Sequence, residues 1–276
     1  MHYKYLLLFI MPMLLFSCKK EKGTTDPVSP PPVDPAPTVL LKDVVIAHLP
    51  SPFYHFEYNA AGKVTFVSYA SDFFRYDVVY DGNRINEMRN NILVNKDRLQ
   101  YFYDNLGRVN VVKYADSTGL VYTRINLTYN GPKLIKLERE RKIGADFIVD
   151  KTITMTYYAD GNLQDLTVHY PAMIGQPETT FNDRYEQYDN KINAQGFSLL
   201  HDEFFDHFVF LPGIQLQKNN PGRETRTGDG DNYKVDYTYT YNDRNAPLTR
   251  SGDFVYTNGA NTGQRFQLSS VYTYYP

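Results

Sequence analysis

The chain has 276 residues, and its 29 Lys and Arg against 31 Asp and Glu leave a net charge of −2 with both signs interspersed. That balance excludes the one-signed field of a nucleic-acid binder or a protein drawn to anionic lipid. A single cysteine excludes an internal disulfide framework, while 25 Tyr and 17 Phe, with many Thr and Val, favour strands over helices.

Lys4 precedes the apolar run Tyr5–Phe16, which is too short to span a bilayer and reads as the core of a signal peptide. Its end, Leu15-Phe16-Ser17-Cys18, resembles a bacterial lipobox. Residues 1–17 are then a lipoprotein signal peptide, and Cys18 is the lipidated first residue of the mature chain. Residues 18–38 follow as a tether with Pro27, Pro30, Pro31, Pro32, Pro35 and Pro37, a composition that favours an extended polyproline spacer. Lys19-Lys20-Glu21-Lys22 places no Asp directly after the cysteine and no acidic cluster nearby. The expected address is the outer membrane, on its periplasmic or cell-surface face. With Cys18 carrying lipid, residues 39–276 hold no thiolate nucleophile and no Cys-ligated metal.

Residues 39–276 read as one all-β domain. Leu40–Leu49 gives an opening strand, ended by Pro50 and Pro52. Five hairpins are expected from Phe53 to Tyr170, and Leu99–Tyr114, LQYFYDNLGRVNVVKY, shows their grammar. Leu99, Tyr101 and Tyr103 share one strand face. Asp104 supplies the acceptor for a type I turn, and Gly107 closes a three-residue loop from the left-handed region, which sets Tyr103 opposite Val109. The pattern returns at Tyr58-Asn59-Ala60-Ala61-Gly62-Lys63-Val64 and at Tyr157-Tyr158-Ala159-Asp160-Gly161-Asn162-Leu163. At Tyr241-Asn242-Asp243-Arg244-Asn245-Ala246-Pro247, Asn245 takes the place of Gly, as Asn tolerates positive φ. Shorter copies at Tyr80-Asp81-Gly82-Asn83-Arg84-Ile85 and Tyr129-Asn130-Gly131-Pro132-Lys133-Leu134 predict two-residue II′ loops. Asp116-Ser117-Thr118-Gly119 and Gly144-Ala145-Asp146 predict turns at the opposite end.

A further copy begins at Tyr185–Lys191, with no Gly to close it. Phe197, Leu200, Phe204 and Phe208 then fall at helical spacing, with Asp202, Glu203 and Asp206 opposite, which predicts a helix over 198–208. Leu216–Gly230 reads as a long polar loop. Tyr233–Tyr241 resumes the sheet with Tyr237, Tyr239 and Tyr241 on one face, and strands near Asp253–Thr257 and Phe266–Tyr275 finish the chain. So many antiparallel strands must curl or close. The expected form is a single curled or barrel-like antiparallel meander of repeated hairpins, with the helix against its concave, apolar face. A transmembrane barrel would turn that apolar face to lipid, but an integral barrel needs neither lipid anchor nor tether.

The motif Tyr103-Asp104…Gly107-Arg108-Val109, with Tyr58-Asn59…Gly62-Lys63-Val64, resembles the YD repeat of RHS-type proteins. The whole layout is similar to Bacteroidetes-type lipoproteins of unknown function with a porin-like rolled sheet. Beside the lipobox and tether, Tyr188-Asp189-Asn190-Lys191, the predicted helix and Asn219-Asn220-Pro221 carry that resemblance. It implies a rolled sheet and no activity.

Candidates for chemistry are few. Glu203 and His207 lie four apart on the predicted helix and could share a metal, as could His201 with a sheet residue, yet the chain has no His-Glu-x-x-His and a solvated helix face is favoured. Asp229, Asp231 and Asn232 alternate as calcium ligands would, but no bidentate Glu follows and a Gly-rich loop is favoured. Tyr237, Tyr239 and Tyr241 could stack on sugars or peptides, with core packing favoured. No Gly-x-Ser-x-Gly occurs, and His48, His55 and His169 show no partners in sequence. The expectation is therefore a non-enzymatic binding or scaffold module without a cofactor, anchored to membrane by its lipid, with a glycan, peptide or envelope-protein partner. An envelope hydrolase with a metal or carboxylate site near the helix is the alternative.

Overall fold

The computed structural model describes residues 39–92, 96–194, 197–200 and 209–276. The signal peptide, Cys18 and the tether to residue 38 lie outside the described residues. Among the described residues eighteen strands follow one another: β1 (Leu41–Ile46), β2 (Tyr54–Tyr58), β3 (Val64–Tyr69), β4 (Phe74–Asp81), β5 (Arg84–Asn90), β6 (Arg98–Tyr103), β7 (Val109–Ala115), β8 (Val121–Asn130) and β9 (Lys133–Ile143) form the first half. The second half is β10 (Asp146–Tyr157), β11 (Leu163–Tyr170), β12 (Thr179–Glu186), β13 (Phe197–Leu200), β14 (Val209–Pro212), β15 (Arg223–Gly228), β16 (Tyr233–Tyr241), β17 (Pro247–Tyr256) and β18 (Arg265–Tyr274). Sixteen of them form one closed antiparallel barrel in chain order, while β13 and β14 pair only with each other. β12 therefore pairs with β15, and β1 closes the ring on β18 from Leu41↔Tyr274 to Ile46↔Ser270. Closure leaves the barrel itself no edge strand, so of the two expected forms, curled or barrel-like, the sheet takes the barrel and the curled one is not found.

Two further expectations are corrected. Phe197–Leu200, the start of the predicted helix, is strand β13 paired with Val209–Pro212, and residues 201–208 lie outside the described residues. A short apolar run fits either period, and here the Val209-Phe210-Leu211 segment supplies a strand partner. The predicted polar loop at 216–230 contains β15, whose polar sequence hides a strand in ladders on both sides.

The barrel keeps its apolar face inside. Phe56, Val67, Tyr76, Met88, Leu99 and Val112 are wholly buried, each large side chain contributing about 1.5–3 kcal/mol. The outer face alternates with it: Lys136, Glu138 and Glu140 on β9, Thr152, Thr154 and Thr156 on β10, Lys234, Asp236, Thr238 and Thr240 on β16. A lipid-facing wall requires an apolar band about 25 Å tall. Exposed large apolar residues are instead divided between turns, as at Leu49, Phe73, Leu106, Leu120 and Ile174, and scattered strand positions, as at Phe102, Ile143, Leu248 and Val271. This polarity is the reverse of a membrane barrel's.

The repeated turns form one rim, and the structure gives each residue of the motif a task. Asp104 Oδ1 accepts the Leu106 and Arg108 backbone N–H groups at 2.9 Å each, and Asn59 and Asn242 cap their turns likewise. Gly107 lies at φ 79° and Asn245 at φ 60°, as the sequence predicts. Gly82 and Gly131 have positive φ while Asn83 does not, which fits the II′ loops. The tyrosines then rivet neighbouring hairpins. Tyr80 OH donates to the Val64 carbonyl at 2.9 Å, Tyr103 to Ile85 at 2.7 Å, Tyr129 to Val109 at 2.7 Å, Tyr157 to Leu134 at 2.6 Å and Tyr188 to Leu163 at 2.7 Å. Each acceptor is the aliphatic residue after the previous turn. The basic residue after the glycine reaches forward: Lys63, Arg108 and Lys133 each bond the carbonyl of the next turn's glycine and lie over the next tyrosine ring.

Candidate functional site

Sixteen strands enclose more space than wall side chains can fill. The β13–β14 hairpin takes up part of it: Tyr101 OH on β6 donates to the Phe210 carbonyl at 2.7 Å, and Phe210 and Leu211 join the buried core. The chain then passes down the inner wall to the turn rim, where Leu163 N–H donates to the Leu216 carbonyl at 2.9 Å. Asn162, 1 % exposed, receives it there: its Oδ1 accepts Lys218 N–H at 2.9 Å and Asn219 N–H at 3.0 Å, and its Nδ2 donates to Asp160 and Asn219. Asp189 Oδ1 accepts Lys191 N–H at 2.9 Å and Asn220 N–H at 3.1 Å, and its other oxygen accepts Tyr241 OH. The Tyr-Asp-Asn-Lys and Asn-Asn-Pro segments thus staple the rim where the meander is interrupted.

The remaining inner wall carries charge. In register, Asp183 on β12 faces Arg226 on β15, Glu224 faces Val235 on β16, and Tyr239 faces Arg250 on β17. Arg226 grips Asp183 with two bonds of 2.7 and 2.8 Å and lies over the Phe181 and Tyr233 rings. Glu224 accepts Tyr233 OH and Tyr237 OH, one on each oxygen, both at 2.8 Å. Burial pushes the Glu224 carboxyl above the usual carboxylate range and the Asp183 charge adds to the shift, against the tyrosine bonds and the Arg250 charge. Burial likewise raises the Tyr233 and Tyr237 hydroxyls, with the nearby carboxylate reinforcing it.

Arg250 is half-buried and makes no ion pair among the described residues. Its guanidinium lies 5.2 Å from the Tyr237 ring and donates one long bond, 3.4 Å, to Ser270 Oγ. Gly252, next on the same face, leaves room for that ring: a Cβ there would sit 3.0 Å from Tyr237 Cε1. A second charged group lines β9 and β10, where Asp150 bridges Arg139 and Arg141 at 2.8 and 2.6 Å, and Lys151 sits 5.5 Å from the Tyr170 ring. This inner belt sets Arg139, Arg141, Lys151, Arg226 and Arg250 against Asp150, Asp183 and Glu224. In a chain of negative net charge, its balance is positive.

The residues singled out from sequence do not assemble into this belt. His201, Glu203 and His207 lie outside the described residues. Asp229 Oδ2 accepts Thr180 N–H at 2.7 Å, and Asp231 meets Asn261 Nδ2 at 3.4 Å. Among the described residues no three His, Cys, Asp or Glu side chains come together as a metal site. His55 and His169 do have partners, unlike the sequence reading: Asp43 at 2.6 Å and Glu178 at 3.0 Å. The far side of His55 meets the Glu57 carboxylate at 3.7 Å. Tyr237 and Tyr239 face inward as expected, with Tyr237 OH engaged by Glu224. Sequence reasoning missed Glu224, Arg226 and Arg250: Arg223–Gly228 has no apolar residue to mark an inner face, and Arg250 gains its place only through pairing with Tyr239 and Ser270.

No protein-family model matches the chain, and no curated protein matches it. Among solved structures it is similar to a porin-like protein from Bacteroides uniformis ATCC 8492, at a TM-score of 0.59 and 15% identity over 87% of this chain and 98% of that one. It is also similar to a porin-like protein from Bacteroides vulgatus ATCC 8482, at a TM-score of 0.55 and 14% identity over 86% of this chain and 99% of that one. At these identities the likeness shows the fold, a porin-like barrel. The TcdB2-TccC3 toxin without its hypervariable C-terminal region matches at a TM-score of only 0.31, over 13% of its length, and gives the YD-repeat resemblance no support.

Proposed function

We propose that this chain is an outer-envelope lipoprotein, lipidated at Cys18, whose barrel is a non-enzymatic binding or scaffold module. The observation that carries the reading is the barrel's polarity. A polar outer wall cannot hold the protein in lipid, so attachment falls to the N-terminal lipid. β1 leaves the turn rim, where Tyr58 OH donates to the Leu41 carbonyl at 2.8 Å, so the tether joins the barrel there. A tether of this composition holds the barrel away from the membrane surface and attaches it at its turn rim. The likeness to Bacteroides porin-like proteins supports an envelope setting, and the inner charged belt offers the binding surface.

Fractionation of cells expressing the parent protein and Cys18→Ser tests the anchor. The parent goes with the outer membrane and the variant becomes soluble; a Cys18→Ser chain that stays in the membrane overturns the reading. Protease shaving of intact cells then decides which face the barrel occupies. One observation favours the hydrolase alternative in its carboxylate form: Glu224, pushed toward its neutral state near Asp183, has the setting of a general acid. That reading requires turnover of envelope glycans or esters that Glu224→Gln abolishes, whereas a binding module shows none.

A further inference from the structure

We propose that the barrel lumen binds a small amphiphilic carboxylate, with Arg250 as anchor and Phe254, Phe266 and Leu268 along the apolar body. The proposal deepens the binding reading above and rests on it. A guanidinium presents five donors in a fork matched to a carboxylate, and Arg250 uses one of them, on the 3.4 Å bond to Ser270 Oγ. The wall itself does not complete the pair among the described residues. Glu224 spends its oxygens on Tyr233 and Tyr237 at 2.8 Å, and Asp183 is held by Arg226. Glu224 acts on the guanidinium through charge without a hydrogen bond, and the fork's remaining donors are open to an acceptor brought by a ligand, in surroundings of lower dielectric than the outer wall.

The neighbouring residues set the rest of the ligand. Arg250, Gly252 and Phe254 share the inner face of β17, so Phe254 lies about 13 Å from Arg250 along the strand. Opposite them on β18 stand Ser270, Leu268 and Phe266. Leu268 is 39 % exposed and Phe266 is 50 % exposed although both face inward, so an apolar strip runs uncovered from the guanidinium toward the far rim. The Tyr237 ring, seated over Gly252 and fixed by Glu224, makes a flat side wall. A phosphate dianion would need a second basic group, and Arg226 is committed to Asp183. A sugar would need paired donors and acceptors where the strip offers Phe254, Leu268 and Phe266. One negative charge on an apolar body fits both parts.

The test is calorimetric titration of the full chain carrying Cys18→Ser, kept free of lipid and detergent, with decanoate, decanol and decyltrimethylammonium below their micelle-forming concentrations. Decanoate is expected to bind saturably at one per chain, with decanol and the cation at least tenfold weaker. Arg250→Gln should reduce decanoate to the decanol level, and Arg250→Lys should recover part of the difference. Leu268→Ser, on the apolar strip, should weaken decanoate and decanol alike, and it decides the matter if the Arg250 variants do not fold. Absence of saturable binding, equal binding of decanol and decanoate, or full binding by folded Arg250→Gln overturns the proposal. Those failures leave the lipoprotein reading standing, since that one falls only with the Cys18→Ser fractionation or with a demonstrated turnover.

Discussion

Replacing Tyr103 by Phe removes one oxygen and keeps the ring, so it isolates the riveting bond to the Ile85 carbonyl. That bond is 2.7 Å long and partly buried, and the ring keeps its place under Arg84, 5.2 Å away. A hydrogen bond of this kind contributes about 1 kcal/mol net, and about 1–3 kcal/mol where the carbonyl is left without a partner. The expected loss is therefore about 1–2 kcal/mol, which in a barrel of this size lowers Tm by about 2–4 °C per kcal/mol. Urea denaturation followed by circular dichroism reads it directly. Tyr157→Phe, whose bond to Leu134 is 2.6 Å, should cost a similar amount. The two sites are four strands apart, about 19 Å, so the double variant should lose the sum. Single variants indistinguishable from the parent protein would refute the idea that the tyrosines tie hairpin to hairpin.

Gly107→Ala places a Cβ at φ 79° and should cost about 1–2 kcal/mol in denaturant titration. Asn245→Gly, at a site already tolerating positive φ, should be close to neutral. Burial pushes Tyr80 and Tyr103 up to about 12. Folded-state values above the unfolded one near 10 mean that stability holds below about pH 10 and falls as pH rises from there to about 12. Alkaline titration should show tyrosinate absorbance appearing together with loss of β structure; early tyrosinate in an intact barrel would contradict it. Glu224 is shifted upward from its unfolded value, so its ionisation works against the folded state. Glu224→Gln should raise Tm at neutral pH, and the gain should vanish once the pH falls below about 4.5, where the carboxyl is protonated in both states. A gain that persists in acid would mean that packing, and not ionisation, was relieved.

The hairpin grammar was legible because each part acts locally. Asp104 caps its own turn, Gly107 supplies the left-handed residue, and the Tyr103–Val109 pairing survives both loop lengths. Register follows from such turns without tertiary knowledge. Closure depends on Leu41 meeting Tyr274 across the whole chain, and no local signal encodes that. The helix expectation fails at its described start, Phe197–Leu200, because a short apolar run suits two periods and only its pairing with Val209–Pro212 decides for a strand. Glu224 and Arg226 hid β15 by making its inward face look polar. The same charges are what sequence reasoning missed at the site: His201, Glu203, His207, Asp229 and Asp231 drew notice as ligand-type residues, while Arg250 has meaning only through its register with Tyr239 and Ser270.

The barrel's inside-out polarity is tested most directly by cysteine accessibility in a Cys18→Ser background, which removes the chain's single thiol. Thr154 is exposed on the outer face of β10, and its neighbour Met155 is 4 % exposed, facing inward. A charged, water-soluble maleimide should label Thr154→Cys at the rate of a free thiol and leave Met155→Cys unmodified until urea unfolds the chain. The opposite pattern, with the residue-154 thiol reached only by a lipid-soluble reagent and the residue-155 thiol labelled freely, would contradict the account and return the barrel to the membrane.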